Sequence, residues 1–150
     1  MGNDEKIAHL SFIQGVINRM GSNSFLVKGW TVALVAAIFV LASKDSNSTF
    51  VYIALLPIVV FWLLDSYYLR QEKLFRKLYE GVAGGSIKSD DFTMKTTAFN
   101  REVPPLWRTA FTRTVWPFYL LIISILAIVA VGARANINWH FICSCFSAHK

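Results

Sequence analysis

Two apolar runs joined by a short polar turn constrain the fold of this chain more than any other feature. The runs cover residues 29–43 and 50–64, and only six residues separate them. An α-helix rises 1.5 Å per residue, so each run covers most of a hydrocarbon layer about 30 Å thick, and its aromatic flanks extend it. The pattern predicts a transmembrane helical hairpin.

A third apolar run, at residues 116–133, makes the chain unusually hydrophobic. Hydrophobic residues make up 55% of its 150 positions, and they occur in clumps. We therefore predict an all-α integral membrane protein with three transmembrane helices and cytoplasmic amphipathic helical extensions. The predicted regions are an amphipathic helix and break (4–24), the hairpin (25–69), a cytoplasmic helix and loop (70–115), the third span (116–133) and a short outer tail (134–150).

The basic residues predict the orientation in the membrane. Twelve of the 15 lysines and arginines lie before the first run or between the second and third, and three lie elsewhere. Cytoplasmic loops carry the excess of such residues. The N-terminus and the middle segment should therefore be cytoplasmic, the hairpin turn and the C-terminus should be outside, and the first run should act as a signal anchor.

Lys28 and Asp65 flank the hairpin. In an antiparallel pair with a turn at residues 46–47, positions whose numbers sum to about 93 face each other, and these two satisfy that sum. They form a candidate interfacial latch, although two solvated charges would fit the same pattern. Arg113 should lie at a similar depth, where it would compete for the carboxylate.

Small residues recur every four positions in the first run, at Gly29, Ala33 and Ala37. Such a stripe lets helices approach closely in lipid. It would serve either packing within the hairpin or assembly of several copies.

Residues 65–82 continue the second run as an amphipathic helix. Its apolar side should pack against the helix at 4–20, a second copy of the chain or the membrane, and we expect the first two together. The candidate oligomer face consists of Leu74, Phe75, Leu78 and Val82. The basic residues Arg70, Lys73 and Lys77 are candidates for binding lipid headgroups or another anionic ligand.

Three further stretches carry weaker signals. His9 lies on the apolar side of the first helix, where it would be packed and hydrogen-bonded or would respond to pH. The alternation at Phe92, Met94 and Thr96 suggests a short strand or an ordered loop. Cys143 and Cys145 lie in an aromatic tail, which favours interfacial anchoring over a metal site.

The sequence lacks the motifs that would indicate an enzyme. It contains no GxxxxGK[ST], GxGxxG, HExxH or GxSxG pattern, and the spans have no ionisable residue between their charged ends. We therefore predict no catalytic residues, cofactor or metal, and no binding to nucleic-acid duplexes. Three helices are also fewer than a transporter with inverted repeats needs.

Three segments resemble a group of small bacterial three-helix inner-membrane proteins: EKIxHLxFIQ at 5–14, NSFLxKGW at 23–30 and FWxLD at 61–65. The chain is more loosely similar to the transmembrane effectors of bacterial anti-phage systems, which oligomerise and breach the membrane. It lacks the nucleotide-binding domain of the best-known effectors.

The first group implies no particular activity. From the likeness to effectors and from the candidate assembly surfaces, we predict a homo-oligomeric bacterial inner-membrane protein whose cytoplasmic helices control a membrane-perturbing or pore-forming state. The alternative is a membrane anchor or adaptor that recruits a soluble protein through its basic cytoplasmic face.

Overall fold

The computed structural model describes residues 3–45, 49–88 and 92–147, with side-chain surroundings for 3–40, 53–88 and 92–131. This part of the chain is helical and contains no strand. The α-helices are α1 (Asn3–Asp45), α2 (Thr49–Ala83), α3 (Leu106–Ala110) and α4 (Trp116–Ser147), and a short 3-10 helix covers Thr97–Phe99. The predicted all-helical class is confirmed.

Helices α1 and α2 form a long antiparallel hairpin. The α1 helix has 43 residues and the α2 helix has 35, so they are about 65 and 52 Å long. Asp4 and Glu5 lie in the first turn of α1, where their charges favour the positive end of the helix dipole. The second apolar run and residues 65–82 form one continuous helix, as predicted, with Pro57 inside it.

The predicted helix break at residues 21–24 is wrong, because α1 passes through these residues without interruption. Glycine, serine and asparagine have low helix propensity, but here they lie against α2. A Cβ atom on Gly21 would lie 3.7 Å from Glu72 Oε2, and the Ser24 hydroxyl donates a hydrogen bond to Asp65. Contacts with α2 therefore offset the weak local preference.

One apolar core joins three helices. Val35 of α1 and Ala54 and Ile58 of α2 pack together with one face of α4. The residues of that face recur every three or four positions, as one side of a helix requires. They are Tyr119, Ile122 and Leu126, together with Val115, which directly precedes α4. The α4 helix begins at Trp116, where the third span was predicted to start, and its backbone continues as a helix through most of the predicted outer tail.

A second core lies at the other end of the hairpin. Ile13 and Ile17 of α1 pack against Leu78 and Val82 of α2, and each of the four is at most 6% exposed. The N-terminal segment of α1 thus covers the apolar side of residues 65–82. This is the expected packing against the helix at 4–20.

This packing corrects the proposed oligomer face. Leu74, Leu78 and Val82 are buried and Phe75 is half-buried within a single chain. The apolar surface of Leu74, Leu78 and Val82 is therefore already removed from water within one chain and is not available to a second copy.

The segment after α2 is an ordered loop and not a strand. Residues 92–96 have no regular structure, and Phe92 has a φ of 42°. Non-glycine residues seldom adopt this left-handed conformation, which does not fit a strand. The end of the predicted cytoplasmic segment at 70–115 contains a short helix, α3, which ends at Ala110, and a turn then precedes α4.

Among the residues that the structure describes, two helical stretches are long and apolar enough to cross a membrane, namely Asn3–Val40 and Ile53–Ala83. Only 17% and 22% of their most apolar windows are buried inside the molecule. The described apolar part of α4, Trp116–Val131, is shorter. The structure therefore contains two helices that could cross a membrane by their length and composition. The third span remains a prediction.

Candidate functional site

A buried ion pair joins α1 to α2 near the middle of the hairpin. Lys28 Nζ lies 2.6 Å from Asp65 Oδ2, and the side chains are 20% and 0% exposed. The antiparallel register predicted from the sequence therefore brings these residues together. They are not two solvated charges, because the Asp65 carboxylate is completely enclosed.

Hydroxyl groups complete the surroundings of the carboxylate. The Ser24 hydroxyl donates a short hydrogen bond to Asp65 Oδ1, and Lys28 Nζ donates to Ser24 Oγ at 3.1 Å. One helical turn separates Ser24 from Lys28, so both side chains reach the same point on α2. A buried charge is tolerated when it is paired and hydrogen-bonded in this way.

Three more buried polar residues surround this cluster. Thr31 Oγ1 donates to the Val27 carbonyl at 2.8 Å, and Ser66 Oγ donates to the Trp62 carbonyl at 2.6 Å. The Tyr119 hydroxyl donates to the Phe61 carbonyl at 3.0 Å, and Thr31 and Asp65 neighbour it. We call the six residues of this region the polar cluster: Ser24, Lys28, Thr31, Asp65, Ser66 and Tyr119.

Trp62 connects the polar cluster to α3 and α4. Its ring stacks on Tyr119 with centroids 5.9 Å apart, and it meets the edge of Phe111 at 5.4 Å. Its Nε1–H donates to the Ala110 carbonyl at 3.0 Å. Trp62 therefore contacts both Tyr119 of the polar cluster and the end of α3.

Arg113 does not join the latch. It lies exposed in the turn before α4, and none of the ion pairs or hydrogen bonds among the described residues involves it. The residues around Arg113 form turns between α3 and α4. Its proposed competition for Asp65 is not seen in this arrangement.

The small-residue stripe lies on the free side of α1. Gly29, Ala33 and Ala37 are exposed, and a Cβ atom added to Gly29 would meet nothing within 4 Å. At 100° per residue, this stripe is about opposite Thr31 and Val35, which are buried against the rest of the bundle. Of the two predicted uses, packing within the hairpin does not occur here.

The three basic candidates do not form one anion site. Arg70 donates to the Pro104 carbonyl and to Asn100 Oδ1, both at 3.2 Å, and so holds the loop before α3. Lys77 lies 2.7 Å from Glu80, whose carboxylate raises the pKa of Lys77. Within the described residues, only Lys73 of the three has no ion pair or hydrogen bond.

Contacts at the far end of the hairpin were only partly predictable. His9 is buried, and its Nε2–H donates to the Thr93 carbonyl at 3.0 Å, as a packed histidine would. Its ring also lies 5.5 Å from Phe92. Lys6 Nζ donates to the Ala83 carbonyl at the end of α2, a contact between distant parts of the chain that no local pattern indicated.

The described residues hold no group of three or more histidine, cysteine, aspartate or glutamate side chains placed to bind a metal ion. The side chains of Cys143 and Cys145 lie outside the described part of the chain. No family model, curated protein or solved structure matches this sequence significantly. The case for a function therefore depends on the geometry of the site.

Proposed function

We propose that this protein is a homo-oligomeric component of the bacterial inner membrane, with its N-terminus inside, whose cytoplasmic helices control a membrane-perturbing state. Two helices long and apolar enough to span, and the third apolar run in α4, support its insertion. The distribution of lysine and arginine supports the orientation.

The exposed stripe at Gly29, Ala33 and Ala37 is the observation that carries the proposal. In lipid there is no hydrophobic gain when two apolar helices meet, so association depends on close packing. A small-residue stripe on the outside of the bundle provides such a surface. It replaces the face at Leu74–Val82 as the proposed contact between copies.

The polar cluster supports the membrane-perturbing part of the proposal. Ionisable residues within membrane bundles are costly, and they commonly mark functional positions. The closed Lys28–Asp65 pair keeps two charges and several hydroxyl groups satisfied inside the bundle. We propose that opening the pair exposes these groups to water and so loosens the assembled bundle.

Dye release from liposomes tests this proposal. Asp65→Asn removes the charge and keeps the size of the side chain, so this variant should release encapsulated dye several-fold faster than the wild type. Adding Ala33→Leu should suppress the release, whereas Ala127→Leu, the same enlargement at an exposed site of α4, should not. Equal release by all four proteins would contradict the proposal.

The alternative role as an anchor or adaptor for a soluble protein has less support. Two basic residues of the cytoplasmic face, Arg70 and Lys77, are engaged within the chain and are less available to a partner. This role would appear as a stoichiometric soluble partner that co-purifies without any dye release.

A further inference from the structure

A cleft of about 520 Å³ opens between α1 and α2, on the side of the ion pair towards the N-terminus of α1. Its size lies within the range of small-molecule sites, which is about 300–1,000 Å³. Residues of both helices and of the loop after α2 line it. They are Val16, Arg19, Met20, Tyr67, Tyr68, Gln71, Phe75 and Met94.

The lining combines apolar side chains with polar groups that have no partner. Arg19, Tyr67, Tyr68 and Gln71 make no side-chain hydrogen bond or ion pair within the described residues. The other four lining residues are apolar. A mostly apolar cleft with a few convergent polar groups is the usual form of a ligand site.

The charge of the cleft favours an anion. Arg19 is its only charged lining residue, and no lining residue carries a carboxylate. Glu72, next to Gln71 in the sequence, is occupied by Arg76 at 2.7 Å. A guanidinium group matches the two oxygens of a phosphate or carboxylate, and aromatic rings offer flat surfaces to an apolar body.

We infer that this cleft binds a small amphiphilic anion, which is a phosphate or carboxylate group attached to an aromatic or aliphatic body. Arg19 holds the charged group, and Tyr68, Phe75 and Met94 contact the body. Arg19 is nine residues from Lys28, or about 13 Å along α1. At this distance from the ion pair, Arg19 could be reached by a soluble anion or by the headgroup of a lipid. This inference does not depend on the proposed oligomer or on membrane perturbation.

Methyl NMR of the full-length protein in phosphatidylcholine nanodiscs gives a local readout. Two of the three methionines, Met20 and Met94, line the cleft, so ¹³C-methyl labelling reports on it directly. Phenyl phosphate should shift both signals saturably, while phenol and inorganic phosphate should bind much more weakly. Arg19→Gln should raise the Kd for phenyl phosphate about tenfold or more.

Lys73→Gln is the matched control, because it removes one positive charge from α2 outside the cleft and should leave the Kd unchanged. Nanodiscs that contain phosphatidylglycerol separate the two sources of the anion. Competition with phenyl phosphate there identifies a lipid headgroup, and unchanged binding identifies a soluble ligand. Signals that do not move, or an equal response to phenol, would overturn the inference.

Discussion

At the scale of single residues, Asp65 is a buried charge held between α1 and α2. Its carboxylate is fully buried and depends on two partners, the Lys28 ammonium group and the Ser24 hydroxyl. Removing one member of a buried pair leaves a charge without compensation, which costs several kcal/mol. The ion pair therefore determines how tightly α1 and α2 are held at this level.

We predict that Lys28→Met lowers the free energy of unfolding by about 3 kcal/mol, because it leaves the fully buried Asp65 carboxylate without its counter-charge. Asp65→Ala should have a smaller electrostatic cost, because the ammonium group that it leaves is partly exposed. The double variant should lose clearly less than the sum, since neither charge is then left alone. The double-mutant cycle is measured by unfolding the wild type, the two single variants and the double variant in the same detergent. Strictly additive losses would contradict a direct interaction between the two side chains.

The sequence predicted this pair because the position of a short turn fixes which residues of two antiparallel helices face each other. It did not predict Tyr119, which reaches the cluster from α4, because nothing in the local pattern relates α4 to the hairpin. The proposed competition by Arg113 is not seen in the structure, for a related reason. Its position depends on the turn after α3, and the residues near it did not indicate that turn.

At the scale of elements, the continuity of α1 departs most from expectation. Residues 21–24 have the composition of a helix break, but packing along α2 keeps them helical. Local propensities are fractions of a kcal/mol per residue, and tertiary contacts routinely exceed them. The amphipathic pattern of residues 65–82 was a better guide because it extends over many turns and describes the packing face itself.

Gly21 offers a sharp test of this continuity. An alanine there would fit, since its Cβ atom would make only an ordinary contact with Glu72. Gly21→Ala should therefore stabilise the protein by about 0.5–1 kcal/mol. Gly85→Ala is the matched control, and it should destabilise by about 1 kcal/mol because Gly85 has a φ of 78°. A loss of stability for Gly21→Ala in thermal unfolding would indicate a break in α1.

At the scale of the whole molecule, the two apolar cores explain which surface remains free. The core at Val35, Ile58 and Tyr119 joins three helices, and the core at Ile13 and Leu78 covers the amphipathic half of α2. The amphipathic pattern predicted that the helix at 4–20 would pack on this half of α2, but it did not show that contacts within one chain would by themselves bury Leu74, Leu78 and Val82. After these contacts form, the small-residue side of α1 remains exposed, and this is the surface on which the proposed assembly depends.

Disulfide cross-linking in native membranes tests the proposed assembly most directly. In a background with Cys143 and Cys145 replaced by serine, Ala33→Cys should give a covalent dimer on mild oxidation. Leu63→Cys, at a site of α2 that is 52% exposed, should remain largely monomeric. Equal or absent cross-linking at the two positions, or recovery of the protein from the soluble fraction, would contradict the account.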